Sequence, residues 1–225
     1  MLTALLEAPA MILILSRSQR QSGELFRKVK SFYKALARPR ALRIFRPTPV
    51  KALERVELFG PDGDTVQESA LQMELANGSR IISLPGNPDT LVGFSGVTLL
   101  IIDEAARVSD TLYRSVRPML AASKGRLVLL STPFGKRGFF YEEWAGVGLE
   151  GKPRPNAADW HRFRIPATEC PRIEPSFLAE EQASLGSRWF RQEYENSFEA
   201  AVGTAFDPDS IERARVAGGE EAPLF

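Results

Sequence analysis

The chain has 225 residues, of which 44% are hydrophobic and 25% are charged. This size and composition suit one soluble globular domain, or one domain with an appended subdomain. The single cysteine, Cys170, excludes an internal disulfide, and with only one histidine, His161, a Cys/His metal site is implausible. The apolar stretch 11–15 is too short to cross a membrane and precedes the first basic residue, which is the reverse of the order in a signal peptide.

The charge is unevenly distributed, although the net charge is only +1. Residues 17–55 contain twelve Lys or Arg and two Glu, a local net charge of +10. Such a segment could bind an acidic polymer such as DNA. It could equally form the solvated face of a helix, because runs of charge are common on exposed helices. The sequence leaves both interpretations open.

The first half of the chain predicts a strand, a helix and a hairpin. Residues 11–15 form a continuous apolar run, as in a strand that is covered on both faces. Residues 24–36 carry apolar side chains at intervals of three and four, which predicts an amphipathic helix. Residues 71–75 alternate between apolar and polar, and the apolar segment 80–84 returns after Asn77-Gly78, a dipeptide typical of tight turns. We therefore expect an antiparallel hairpin here.

The next segments predict a parallel sheet. Residues 97–102 and 126–130 are apolar runs that we predict to be buried strands, separated by a helix from Ser109 or Asp110 to about residue 122. Strand–helix–strand steps with short connections imply parallel strands. The remaining predicted elements are a helix at 138–144, a short strand at 163–165, helices at 175–185 and 187–198 separated by Gly186, and a short helix from Asp207-Pro208.

Polar residues follow the two central strands. Asp103 and Glu104 come directly after 97–102, and Ser131 and Thr132 come directly after 126–130. Ligand sites in parallel sheets lie beyond the carboxyl ends of the strands. A carboxylate there can hold Mg²⁺, and a second carboxylate can activate water for attack on a nucleotide phosphate. Either motif alone is consistent with a simple strand end or turn, whereas their conjunction favours a nucleotide site.

A nucleotide site also needs a loop that binds the phosphates. No segment fits Gly-x-x-x-x-Gly-Lys-Ser/Thr. The nearest candidate, Gly135-Lys136, is followed by Arg137 and has Leu130 in the position of the first glycine. The carboxylate and hydroxyl residues at the strand ends therefore form half of an ATP site, and the phosphate-binding half is missing from the sequence. Whether the chain is an enzyme is left open. We expect the isolated chain to bind ATP poorly.

Several segments together resemble the large subunit of tailed-bacteriophage DNA-packaging terminases. The central ones read LLIIDEAARV at 99–108 and GRLVLLSTPFGKRGFFYEEW at 125–144. Further matching segments are 18–29, 84–90, 93–95 and 189–194, so that the likeness covers roughly residues 11–206. The resemblance implies an ATP-driven motor that packages double-stranded DNA. It also implies an α/β fold with a parallel-sheet, P-loop NTPase-type core of the additional-strand type, an inserted β-hairpin and a small, mostly helical C-terminal subdomain.

The resemblance also assigns roles to single residues. Asp103 matches the Walker B carboxylate for Mg²⁺, and Glu104 matches the catalytic glutamate. Ser131-Thr132-Pro133 matches the motif that couples hydrolysis to movement. Mg²⁺ and ATP are the implied cofactors. Val92 occupies a place where relatives carry arginine, so the trans-acting arginine is unassigned.

The same resemblance suggests an organisation and a set of partners. Residues 1–166 would form an incomplete ATPase core, and residues 167–225 a helical subdomain and a linker toward a nuclease domain. The expected partners are double-stranded DNA, the portal protein, the terminase small subunit and further copies of the chain in a homo-oligomeric ring. The expected location is the cytoplasm of the bacterial host, without a membrane contact.

Two other interpretations remain open at this level. The sequences Asp-Glu-Ala-Ala and Ser-Thr-Pro also echo motifs of superfamily 2 helicases, so a helicase fragment is one alternative. A second alternative is a remnant without enzymatic activity that acts only as a DNA-binding or assembly module through residues 17–55.

Overall fold

The computed structural model describes residues 1–37, 67–86, 93–148 and 151–199. The chain divides into two compact units, residues 1–131 and 132–225, and the organisation into an ATPase core and a helical subdomain at residue 166 stays a prediction. The predictions for Val92, for the basic residues beyond 37 and for the Asp207-Pro208 helix lie outside the described residues. No helix among the described residues is long and apolar enough to span a membrane.

In the part of the first unit that the structure describes, a sheet is combined with three α-helices. Its helices are α1 (Leu2–Leu6), α2 (Gln19–Ala37) and α3 (Asp110–Val116). Its strands are β1 (Met11–Ser16), β2 (Gln67–Glu68), β3 (Gln72–Glu74), β4 (Arg80–Pro85), β5 (Leu99–Asp103) and β6 (Arg126–Leu130). The predicted strand, helix and hairpin order is confirmed.

The sheet has the strand order β2-β3-β4-β1-β5-β6. Strands β4, β1, β5 and β6 are parallel, whereas β2, β3 and β4 form antiparallel pairs. The expected hairpin is the β3–β4 pair, and its turn contains Asn77-Gly78 with Gly78 at φ 79°. The α/β fold class with a parallel core and a hairpin is therefore confirmed.

Local chemistry explains where two helices differ from their predicted bounds. Helix α2 begins earlier than residue 24 because the hydroxyl of Ser18 accepts a hydrogen bond from the backbone N–H of Gln21 at 3.3 Å, as an N-cap does. Helix α3 ends at Val116, and the chain continues as a 3₁₀ turn, Arg117–Leu120. Pro118 in that turn has no N–H to extend an α-helix.

The core of the first unit lies between the sheet and α2. Side chains of β1, β3 and β4 pack there against Phe26 and Tyr33 of α2, both of which are almost completely buried. Residues Ile12 to Leu15 of β1 are buried on both faces, as the continuous apolar run predicts. Strand β1 is therefore the centre of the sheet.

Strand β6 differs from its prediction. The sequence indicates a buried strand, yet its side chains alternate between exposed and half-buried. The reason is topological: β6 pairs with β5 on one side and is an edge strand of the sheet in the part of the chain that the structure describes. An apolar run indicates that a strand is suited to burial, but it does not indicate which other part of the protein covers the strand.

The second unit is built from helices and an extended segment. Its helices are α4 (Gly138–Ala145), α5 (Pro175–Leu185) and α6 (Ser187–Glu193), and Gly186 at φ 76° separates the last two as predicted. Helix α6 ends before the predicted residue 198. The ring of Phe198 lies instead against three aromatic rings of α4, those of Phe140, Tyr141 and Trp144.

The predicted strand at 163–165 is wrong. Those residues have no regular secondary structure and no strand partner among the described residues. Side-chain contacts replace the strand ladder, because the guanidinium of Arg164 donates to the carbonyl of Glu195 and Asn196 Nδ2 donates to the carbonyl of Ile165 at 2.7 Å. Phe163 and Ile165 are consequently exposed.

Replacing each of two glycines of the first unit with alanine should have opposite effects on stability. A Cβ on Gly125 would lie 2.0 Å from the carbonyl oxygen of Val97, so Gly125→Ala forces the backbone to move. We expect a loss of about 1–3 kcal/mol or more in the free energy of unfolding. Gly23 lies inside α2, and a Cβ there meets only Leu71 Cδ2 at 3.9 Å. Gly23→Ala should therefore stabilise the protein by about 0.5–1 kcal/mol. Urea unfolding of both variants tests the pair, and equal effects would contradict it.

Candidate functional site

The candidate site lies at the carboxyl ends of the parallel strands. Strands β1, β5 and β6 run in the same direction, so their last residues meet at one edge of the sheet. Asp103 ends β5 and lies opposite Leu130, the last residue of β6. Ser131 follows directly. The sheet thus brings three of the four predicted site residues together: Asp103, Glu104 and Ser131.

The two carboxylate residues have a distinctive backbone. The N–H of Glu104 donates to Oδ1 of Asp103 at 3.1 Å, which orients the Asp103 carboxylate. Glu104 itself has φ 53° and ψ 40°, in the left-handed region. A non-glycine residue is uncommon there, and such backbone strain concentrates at functional sites. The turn sends the chain abruptly from β5 into a 3₁₀ turn, Ala105–Arg107.

Ser131 connects the ends of β5 and β6. Its hydroxyl oxygen accepts a hydrogen bond from the backbone N–H of Ala106 at 3.2 Å. Ala106 lies in the 3₁₀ turn that follows Glu104, so the hydrogen bond joins the end of β6 to the turn directly after the two carboxylates.

The fourth predicted residue, Thr132, begins the second unit. Its side chain is half-buried, and Pro133 after it is buried. Ser131 and Thr132 therefore form the covalent connection between the two units. A role for Thr132 at the site stays a prediction.

The available donors suit a hard cation. The Asp103 carboxylate and the Ser131 hydroxyl supply oxygen, which Mg²⁺ prefers. The described residues contain no group of three His, Cys, Asp or Glu that could form a metal cage by themselves. A magnesium ion at this edge would thus depend on one protein carboxylate together with phosphate oxygens and water, which is the usual arrangement for Mg²⁺ with nucleotides.

Two further residues lie at the same edge, although the sequence did not single them out. Ser16 ends β1 and is completely buried, and its hydroxyl donates to the carbonyl of Ser18 at 2.8 Å. Gly86 follows β4, where a Cβ would lie 2.6 Å from the carbonyl oxygen of Ser16. Ser16 could have been found from the sequence, because it ends a third apolar strand. Gly86 could not, because the need for a close approach of two backbone segments leaves no pattern in the sequence.

The pKa shifts of side chains among the described residues arise from contacts within the second unit. Arg191 is hydrogen-bonded to Glu199 and lowers the pKa of that carboxyl. The same hydrogen bond to Glu199 raises the pKa of Arg191. A hydrogen bond to Glu181 raises the pKa of Tyr194. These contacts stabilise the packing of α5, α6 and the segment after them.

The fold and the site together are those of an α/β sheet with polar side chains at the carboxyl ends of its strands. Four of the strands are parallel, Asp103 ends one of them and Ser131 follows the next. The fold matches the large terminase ATPase domain of Thermus phage P74-26 with a TM-score of 0.59 and 21% identity, over 87% of this chain and 80% of that one. No known family profile matches the chain.

Sequence comparison is more specific than the fold. The chain is 31% identical over 157 residues to the "Terminase, large subunit" of Escherichia phage T5, a match that covers 68% of this chain. It is also 31% identical over 107 residues, 46% of its length, to a "Probable terminase, large subunit" of Enterobacteria phage P7. The resemblance to phage terminase large subunits is thus confirmed. The matches span 34% and 21% of the length of these two relatives.

The hydrogen bond of Ser131 gives a local prediction. Ser131→Ala leaves the Ala106 N–H without its acceptor, which costs roughly 1–3 kcal/mol when the group is kept from water. We expect the Ala106 amide to exchange its hydrogen about 5- to 150-fold faster, because the turn opens more often. Thr111→Ala, an exposed change on α3, is the matched control and should leave that amide unchanged. Unaltered exchange in Ser131→Ala would show that the bond does not hold the turn.

Proposed function

We propose that this chain provides the Walker B part of the ATP hydrolysis site of a phage DNA-packaging motor. In this proposal Asp103 binds Mg²⁺, Glu104 activates water and Ser131-Thr132-Pro133 couples hydrolysis to movement. The observation that carries the proposal is the hydrogen bond between Ser131 and Ala106, which joins the end of β6 to the turn directly after the two carboxylates. The similarity to terminase large subunits supports it.

Each residue has a physical reason for its role. The Asp103 carboxylate is oriented by the N–H of Glu104, so it presents a fixed oxygen ligand. A bound magnesium nucleotide would supply the phosphoryl group and the charge neutralisation that hydrolysis needs. Glu104 follows the strand and can accept a proton from a water molecule at this edge. Ser131 connects this edge to Thr132, at the start of the second unit.

The carboxylate roles can be tested in a graft. Residues 99–133 replace the corresponding segment of the Thermus phage P74-26 ATPase domain, which shares the fold. We expect the graft to hydrolyse ATP. Glu104→Gln in the graft should lower kcat by about a hundredfold or more, because an amide cannot accept the proton. Asp110→Asn, an acid in the same segment at the start of α3, is the control and should keep the rate.

Two results would contradict these roles. One is a folded graft that does not hydrolyse ATP, and the other is a Glu104→Gln graft that hydrolyses it at the unaltered rate. The 225-residue chain alone should bind Mg-ATP weakly in a titration, because its sequence has no phosphate-binding loop. Tight binding with Glu104-dependent turnover would overturn that expectation.

We also propose double-stranded DNA as a partner. The described part of the basic segment includes α2, whose exposed basic side chains include Arg20, Arg27 and Lys28. Arg27 pairs with Glu24, and Lys30 Nζ donates to the carbonyl of Ser69. Exposed cations on one helix can contact phosphates without reading the sequence of the DNA. By analogy with terminases, we propose three further partners: a portal protein, a small subunit and further copies of the chain in a ring. The proposed location is the bacterial cytoplasm.

The DNA contact predicts a specific salt dependence. Replacing Arg20, Lys28 and Lys34 with Gln should weaken binding to duplex DNA. The slope of the logarithm of the binding constant against the logarithm of the salt concentration is negative, and its magnitude should fall by up to about 3. Gln is the matched substitution because it keeps a long polar side chain. Fluorescence anisotropy at several salt concentrations measures the slope. If the slope stays unchanged, α2 does not contact DNA.

A further inference from the structure

Arg17 lies at the same edge of the sheet as the two carboxylates. The last register pair of β1 and β5 is Leu15 with Ile102, so Arg17 and Glu104 each lie two residues beyond that pair. Neighbouring strands in a sheet are about 4.8 Å apart. An arginine side chain is long enough to cross that distance, so the guanidinium of Arg17 can reach the space beyond Asp103 and Glu104.

Arg17 also carries the positive charge at the ends of the parallel strands. The residues that directly follow β4, β1, β5 and β6 are, in that order, Gly86, Arg17, Glu104 and Ser131. Asp103 and Glu104 add two carboxylates to this edge. A bound nucleotide would add the negative charge of its phosphates, which proteins offset with arginine or lysine as well as Mg²⁺. Of the four residues that follow these strands, Arg17 is the one that can supply such a charge.

The guanidinium of Arg17 is available for a ligand. Its side chain is exposed and makes no hydrogen bond or ion pair with any residue that the structure describes. Arg107, which follows the carboxylates in the chain, already has an interaction partner. On α2, Arg27 is paired with Glu24. Arg17 is thus a charged side chain without a structural contact among the described residues.

The backbone at Arg17, in contrast, is fixed on both sides. The hydroxyl of Ser16 donates to the carbonyl of Ser18 at 2.8 Å and so closes a turn around Arg17. The Ser18 hydroxyl caps α2 by accepting from the N–H of Gln21. Gly86 packs against the same turn, because a Cβ on Gly86 would lie 3.2 Å from the carbonyl oxygen of Arg17. A side chain on a fixed backbone loses less entropy when it binds a ligand.

We propose that Arg17 binds the terminal phosphate of the nucleotide whose magnesium ion Asp103 holds. A guanidinium can donate two parallel hydrogen bonds to phosphate oxygens, whereas a lysine ammonium acts as a point charge. The positive charge of Arg17 would also offset the charge on these oxygens during phosphoryl transfer. This inference rests on the proposed function and deepens it, because it adds a cation to the carboxylates and hydroxyls of that site.

A DNA phosphate is the other anion that an exposed arginine can bind. Two observations favour the nucleotide. Arg17 lies beyond the end of a parallel strand, where ligand sites of such sheets lie, whereas Arg20 and Lys28 lie along the exposed side of α2. The fixed turn at Arg17 also suits a ligand that is bound in one position, whereas contacts with the DNA backbone let a protein slide.

Nuclear magnetic resonance titrations of the 225-residue chain test this assignment, with Mg-ATP and Mg-ADP as the probes. The shift of the Glu104 amide with nucleotide concentration gives Kd even when binding is weak. Arg17→Gln should weaken binding of Mg-ATP about tenfold or more, as expected for the loss of a hydrogen bond to a charged group. Binding of Mg-ADP should be unchanged, because ADP lacks the phosphate that Arg17 contacts.

Two further variants make the result specific. Arg20→Gln removes an exposed arginine at the start of α2 and should leave both affinities unchanged. Arg17→Lys keeps the charge but not the paired donors, so its affinity for Mg-ATP should lie between those of Arg17→Gln and the unaltered chain. Because the Arg17 side chain is exposed, circular dichroism should show that both of its variants remain folded.

Three outcomes would overturn the assignment of Arg17. Equal binding of Mg-ATP by Arg17→Gln and the unaltered chain would show that Arg17 does not contact the nucleotide. Equal weakening of Mg-ATP and Mg-ADP binding would show that Arg17 acts on the structure of the site rather than on the terminal phosphate. Unchanged nucleotide binding, with a fall of about 1 in the magnitude of the DNA salt slope, would assign Arg17 to a DNA phosphate.

Asp103→Asn separates this inference from the proposed function. It should weaken binding of Mg-ATP and Mg-ADP alike, because it removes the proposed magnesium ligand. If only Arg17→Gln weakens Mg-ATP binding, the phosphate contact stands and the role of Asp103 is wrong. If only Asp103→Asn does so, the magnesium site stands and the role of Arg17 is wrong. A Glu104 amide that does not respond to Mg-ATP at any concentration contradicts both.

Discussion

The parallel pairing of β5 between β1 and β6 is the interaction on which the rest of the first unit depends. Leu100 and Ile102 of β5 are completely buried, so the strand cannot slide without moving its apolar side chains toward water. The register then fixes Asp103 opposite Leu130 and places Ser131 one residue further. Hydrophobic burial inside the sheet thereby sets the positions of polar atoms at its edge.

That edge is held by a small number of directed contacts. The N–H of Glu104 orients the Asp103 carboxylate, and the Ser131 hydroxyl accepts from the N–H of Ala106. The left-handed backbone at Glu104 is the cost of turning sharply out of a buried strand while keeping both bonds.

Periodicity predicted most elements of the first unit because the pattern of each one depends on residues that are close together in the sequence. The apolar run of β1, the spacing in α2 and the Asn77-Gly78 turn each have a local cause. Two predictions failed where a distant partner decides. The apolar pattern of β6 was interpreted as buried, but burial depends on what covers the strand, and 163–165 was interpreted as a strand, but side chains of Arg164 and Asn196 make its contacts.

The site shows the same division. Asp103, Glu104 and Ser131 could be found from the sequence because each follows an apolar strand, and parallel strands end at a common edge. The need for glycine at Gly86 could not be found, because it arises from a carbonyl of Ser16 about seventy residues away. Nor could the acceptor role of the Ser131 hydroxyl be assigned, since a Ser-Thr-Pro sequence also suits a turn.

By itself, the sequence determined that this chain forms an α/β parallel sheet, that two carboxylates and a hydroxyl lie at the ends of two of its strands, and that it resembles phage terminases. The first two properties are encoded in local periodicity and in residue types at strand ends, whereas the resemblance rests on matching sequence segments. Only the tertiary structure decided that β1 is the centre of the sheet and β6 an edge, and that Ser131 holds the turn beyond Glu104. The physical reason is that burial and hydrogen bonding depend on neighbours in space, which residue order alone does not specify.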